Sequence, residues 1–86
     1  MSKIREFIDN NGLSFEEGSR NTTVVTLVGY AQHLGITENK LKAEVVDEID
    51  ADSFIGDEIS RIWEFCKIRN YKDFWSTPKA KELYKF

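Results

Sequence analysis

One cysteine, one proline and one histidine are all that 86 residues provide of the side chains that most often announce a staple, a break or a reacting centre. A single thiol excludes an internal disulfide and a cysteine-based metal cluster, and it fits a reducing cytoplasm. His33 has no cysteine or carboxylate at ligand spacing, so it reads as a polar residue at a helix end rather than a catalytic or metal-binding one. No apolar run approaches the roughly 18 residues of a membrane span, and the N-terminus has no signal-peptide core. No G-x-x-x-x-G-K-S/T loop is present to cradle a nucleoside triphosphate, which argues against a self-contained ATPase. The acids Asp47, Glu48, Asp50, Asp52, Asp57 and Glu58 fail as a calcium loop. That loop would need an oxygen ligand at Phe54, a glycine at Ile55 and an acid at Arg61. They read instead as caps and solvated faces. These absences predict a cytoplasmic protein that is not an enzyme and uses no metal and no cofactor.

What is present is a sequence built for helices. An apolar share of 41 %, with two Trp, three Tyr and six Phe, is globular rather than disordered. A chain of this length makes one domain, able to bury roughly 60–65 % of its unfolded surface. Ser2 to Asn11 reads as a short helix with Ile4, Phe7 and Ile8 inward, stopped at Asn10-Asn11-Gly12. Leu13 and Phe15 are expected core anchors in the connection that follows. In the second helix Val24, Val25, Leu27, Val28, Ala31 and Leu34 recur at spacings of three and four and predict one buried stripe. Gly35 closes it in a left-handed conformation, with Ile36 folding back onto the last turn. Ser19, Asn21 or Thr22 would cap its start.

Thr37 caps a third helix with Leu41, Val45, Val46 and Ile49 inward. Asp50 to Ser53 form a break. A fourth helix runs from about Phe54 or Asp57 to Arg69, with Ile55, Ile59, Ile62, Trp63 and Cys66 on its stripe and Cys66 as a core filler. Asn70 to Ser76 reads as a turn holding Tyr71, Phe74 and Trp75. Thr77 caps a last short helix with Pro78 at its first position, within residues 77–86. No alternating strand pattern of useful length appears. The expected fold is a small all-α, single-domain bundle of four to five helices spanning residues 1–86.

Charge is unevenly spread. The formal net charge is −3, yet residues 1–60 carry −7 and residues 61–86 carry +4. Asymmetry of this kind is one sign of an interaction surface. Within the basic third, Lys67, Arg69, Tyr71, Lys72, Phe74 and Trp75 interleave cations with aromatics, the combination that single-stranded nucleic acid uses for phosphate attraction and base stacking. At least one of Phe74 and Trp75 is expected to pack the final helix to the bundle, since exposing both would leave a large apolar patch. Tyr71 is the better stacking candidate. A second cation, Arg20, stands at a helix start, where orphan N–H groups already favour an anion. It either pairs with Glu16, Glu17 or an acid of the fourth helix, or receives a phosphate of DNA or nucleotide; Asn21 either caps or joins it.

Two segments together resemble a known family. The first is EGSRNTTVVTLVGYAQHLGIT, a Gly-Ser-Arg-Asn start followed by an apolar helix and a glycine turn. The second is DSFIGDEISRIWEFCKIRNYKDFW, with Phe54, the pair Glu58-Ile59, Arg61, then Arg69-Asn70 and Asp73-Phe74. Their order and separation are similar to the α-helical primase C-terminal domain. That module follows the catalytic domain in phage, plasmid and mobile-element primases, and occurs in primase and VirE-like proteins of Bacteroidetes mobile elements. The likeness covers about residues 5–76.

Gly18, Arg20 and Asn21 match the family's helix-start motif, and Glu58, Ile59 and Arg61 match its second. The sequence departs after Glu58-Ile59, where small residues and a tyrosine give way to Trp63, Phe65, Cys66 and Lys67. The resemblance implies a helical bundle that assists primer synthesis by contacting template DNA or nucleotide, or by linking primase to helicase. No primase catalytic segment or helicase motor lies within these residues, so it carries no reaction over. The expected function is a non-catalytic accessory module of DNA replication. Its expected partners are single-stranded or primer–template DNA, bound by Arg20, Asn21, Arg61, Lys67, Arg69, Tyr71 and Lys72, and replication proteins such as a primase catalytic domain, helicase or polymerase. The alternatives are a small protein–protein adaptor or a phage or mobile-element regulator without DNA binding, favoured by the acids from Glu44 to Glu58, and nucleotide binding without hydrolysis at the Arg20 helix start.

Overall fold

A computed structural model describes residues 3–16, 18–49 and 53–85 of the chain, with only the backbone described at 46–49 and 53–55. It is an all-α bundle. Its helices are α1 (Lys3–Asn11), α2 (Arg20–Leu34), α3 (Glu38–Ile49), α4 (Ser53–Ile68), a 3₁₀ turn (Tyr71–Ser76) and α5 (Pro78–Leu83). Among the described residues there is no strand. The inward roles expected of Val46, Ile49 and Ile55 lie outside what is described, as do residues 50–52 of the expected break at Asp50 to Ser53, while Ser53 already begins α4.

Local chemistry explains most boundaries. α1 buries Ile4, Phe7 and Ile8, one face at spacings of three and four. It ends in a Schellman turn: the Leu13 N–H donates to the Ile8 carbonyl (3.1 Å) and Gly12 takes a left-handed φ of 61°. α2 ends the same way, with Gly35 at φ 78° and the Ile36 N–H on the Ala31 carbonyl at 2.9 Å. The Thr37 hydroxyl accepts from the Lys40 N–H at 3.2 Å, capping α3. The Thr77 hydroxyl accepts from the Ala80 N–H at 3.4 Å ahead of Pro78.

The start of α2 corrects the expectation of a side-chain cap. Ser19 holds the cap position but its hydroxyl makes no capping bond. The N–H groups of Ser19 and Arg20 instead both donate to the Glu16 carbonyl at 3.0 Å. Asn21 turns away and donates to the carboxylate of Glu58, and the Thr23 hydroxyl donates to the Ser14 carbonyl at 2.6 Å. The preceding loop thus takes up the Ser19 and Arg20 N–H groups and the Thr23 hydroxyl.

α2 is the axis of the molecule. Val24, Leu27, Val28 and Ala31 are buried as expected, Val25 and Leu34 only half so, and Thr23, Gly29 and Tyr30 are buried in addition. A helix enclosed by α3, α4 and the 3₁₀ turn has little solvent side left, which is why its burial exceeds a single stripe. Leu41 and Val45 of α3 and Ile59, Ile62 and Cys66 of α4 complete that core. Leu13 and Phe15 pack against it half-buried.

A second element of the core is aromatic. The Phe7 ring lies 4.1 Å from Tyr30, 5.4 Å from Trp75 and 5.6 Å from Tyr84. Tyr30, Phe74 and Tyr84 each lie close to Trp75, at 5.2, 5.2 and 5.0 Å. Such tilted and edge-on pairs contribute about 0.5–1.5 kcal/mol each beyond area burial. They fasten the 3₁₀ turn and the final segment onto α1 and α2, so Trp75 is the aromatic that packs, with Phe74 half-buried beside it.

Candidate nucleic-acid interface

α4 and the 3₁₀ turn position most of the candidate residues. At 3.6 residues per turn, Arg61, Phe65 and Arg69 fall on one outward face of α4, covering about 12 Å of helix. Trp63 and Lys67 fall on another. α4 ends where Asn70 adopts a left-handed φ of 59°, a conformation that asparagine tolerates better than most residues. The Asn70 amide also donates to the Asp73 carboxylate, and its carbonyl accepts from the Asp73 N–H at 3.1 Å. The chain thereby turns so that Asn70 and Lys72 face one side and Tyr71, Phe74 and Trp75 the other.

On the first face the Arg69 guanidinium sits 4.4 Å above the Phe65 ring, and Phe65 meets Tyr71 edge-on at 5.8 Å. Phe65 is nonetheless 43 % exposed and Ile68 next to it 80 %. A cation over a ring at this distance is attracted by the ring quadrupole. Arg69, Phe65 and Tyr71 therefore form a cation–aromatic ladder open to solvent. One turn earlier, Arg61 lies 3.8 Å from Glu58 with most of its side chain exposed.

Glu58 is the second correction. It was expected on a solvated face, but it is buried, held between Asn21 (3.4 Å) and Arg61. A buried carboxylate needs such partners. The two motif halves, Asn21 and Glu58–Arg61, thus meet in space as a tie between α2 and α4. Arg20, which precedes Asn21 in the chain, is half-buried and already engaged within the fold.

The second face is a groove of about 360 Å³ between the end of α2, α4 and the 3₁₀ turn, bordered by Gln32, Ile36, Trp63, Lys67, Asn70 and Lys72. Gln32 holds its wall by donating to the Trp63 carbonyl at 3.0 Å. Lys67 and Lys72 are both exposed and border the same groove as the Trp63 ring. On the other side of the 3₁₀ turn lies a pocket of about 360 Å³ with Val25, Thr26 and Gly29 on its floor and Tyr71, Phe74, Trp75 and Tyr84 around it.

Six of the seven expected site residues therefore fall into three pairs: Asn21 with Arg61 at Glu58, Arg69 with Tyr71 through Phe65, and Lys67 with Lys72 at the groove. Phe65 is an addition that sequence reading missed as a site residue. Phe65 was discoverable, because it lies four residues from each of two arginines. The chain's other reactive groups stand apart. Cys66 is fully buried, its Sγ 4.0 Å from the Val25 carbonyl, and burial pushes the thiol pKa up. His33 is exposed and stacks loosely on Tyr30 at 6.5 Å. No protein-family model, no curated protein and no solved structure matches the chain.

Proposed function

We propose that this chain is a non-catalytic accessory module of DNA replication that holds single-stranded or primer–template DNA along its basic last third. The observation that carries the reading is the exposed ladder of Arg69, Phe65 and Tyr71. Folding alone favours hiding a phenylalanine; one left at the surface under a guanidinium offers a stacking plane beside a phosphate partner. Arg61 extends the cationic line along α4, and Lys67 and Lys72 flank it across the 3₁₀ turn. The resemblance to the primase C-terminal domain supplies the replication context, with a primase catalytic domain, helicase or polymerase as the protein neighbour.

Fluorescence anisotropy with a labelled single strand tests this directly. Binding is expected at about 50 mM salt and should fall steeply towards 200 mM, since neutralised phosphates release counterions. Replacing Arg69 and Lys72 together by Glu should weaken it about ten-fold or more. No binding at the lower salt overturns the reading, because attraction to phosphate is strongest there.

A protein–protein adaptor is the second reading, and Ile68 at 80 % exposure with Leu83 at 59 % is what favours it. Affinity capture from nuclease-treated lysate separates the two. An adaptor keeps its partner after the nucleic acid is digested, and a DNA-bridged complex does not.

A further inference from the structure

We propose that the aromatic pocket beneath the 3₁₀ turn receives one unstacked nucleobase of the bound strand, an assignment that rests on the nucleic-acid reading above. At about 360 Å³ the pocket falls within the range that holds a small ligand. The half-buried Tyr71, Phe74 and Tyr84 supply ring surfaces beside the buried Trp75, and among the described residues no charged one lines it, so it suits a base and not a phosphate. Gly29 lets the 3₁₀ turn that carries these rings pack close on α2, since an added Cβ there would sit 3.2 Å from the Trp75 Nε1 and 3.5 Å from the Tyr71 Cβ. Thr26 adds a polar edge: its hydroxyl spends its proton on the Thr22 carbonyl at 2.8 Å and keeps lone pairs to accept from a base.

The location of the pocket supports the same occupant. Tyr71 is at once a wall of the pocket and the end of the ladder that carries Arg69. A strand with its phosphate on Arg69 therefore presents its base to Tyr71. Lys72 stands on the other side of the same turn for the neighbouring phosphate. Cations outside and rings inside are the arrangement that reads a single strand without sequence preference.

The experiment compares a thymidine oligomer with an abasic oligomer of equal length, on the full chain and on Thr26→Phe, which fills the pocket from its floor. The unmodified chain should prefer the base-bearing oligomer by about five-fold or more, the lower end of what one stacked base contributes. Thr26→Phe should reduce that preference by about five-fold and leave abasic affinity unchanged. As a readout independent of that variant, Trp63→Phe leaves Trp75 as the one fluorophore of its kind. Its emission should be quenched by the base-bearing oligomer and not by the abasic one. If Thr26→Phe folds and keeps the preference, or if Trp75 responds equally to both oligomers, the pocket holds no base and the proposal fails while strand binding stands. If neither oligomer binds at low salt, both proposals fail, and the pocket is left to an apolar side chain of a protein partner.

Discussion

α2 and α4 are almost equal in length, 15 and 16 residues, yet they use their apolar side chains in opposite ways. Residues 27 to 31 of α2 are buried without interruption, so no side of that turn faces water. α4 buries Ile59, Ile62 and Cys66 on one stripe and leaves Phe65 and Ile68 outside. The apolar surface of α2 is consumed by the fold, whereas part of that of α4 is surplus to it. Surplus apolar surface among cations, on the element that also presents Arg61, Arg69 and Lys67, is where a partner can gain most from contact.

The contrast breaks most visibly under truncation. Leu27→Ala should cost about 2–5 kcal/mol in urea unfolding, because it opens a cavity in a helix enclosed on most sides. Ile68→Ala should stay within roughly 0.5 kcal/mol of the parent in the same assay, as for other exposed sites. Equal losses at the two positions would sink the distinction. Next in size is the tie between the helices. Asn21→Ala should destabilise by about 1 kcal/mol through the loss of a partner for the buried Glu58, and Glu58→Gln in the same background should recover part of it.

The smallest effect is on pH. Burial raises the pKa of Cys66 above its ordinary 9.0 and, together with the nearby Glu6 charge, that of Tyr30 above 10.0. The unfolded chain therefore loses these protons first and binds fewer of them than the folded chain as the solution becomes alkaline. Their contribution is complete below the unfolded values and is lost as pH rises through the folded ones. The urea midpoint should fall from about pH 9 upward, and Cys66→Ala should delay the onset towards the tyrosine range. A flat alkaline limb would contradict the burial of both groups.

What could be read from the chain was what is local. The stripe of α2, the left-handed Gly35, and the caps Thr37 and Thr77 ahead of Lys40 and Pro78 all depend on neighbours within a turn, so spacing alone revealed them. The burial of Glu58 did not follow from its neighbours, because its partner Asn21 lies 37 positions away. The aromatic cluster of Phe7, Tyr30, Trp75 and Tyr84 is hidden for the same reason: its members come from four segments that only the fold brings together. In the candidate interface, charge and aromatic content pointed to the third of the chain that carries the exposed Arg69–Phe65–Tyr71 ladder. Which cations share a surface was decided by the turn at Asn70, whose left-handed backbone no composition reveals.

The last residue of α1 has a consequence of its own. The Asn11 side chain donates to the Lys85 carbonyl at 2.8 Å and accepts from the Lys85 N–H at 2.7 Å, across 74 positions. That reciprocal pair works as a buckle, closing the described chain nearly head to tail. A pulling force applied between its first helix and its last residues would load these two bonds before any helix lengthened, and the Lys85 amide should exchange with deuterium far more slowly than its extended, end-of-chain setting suggests.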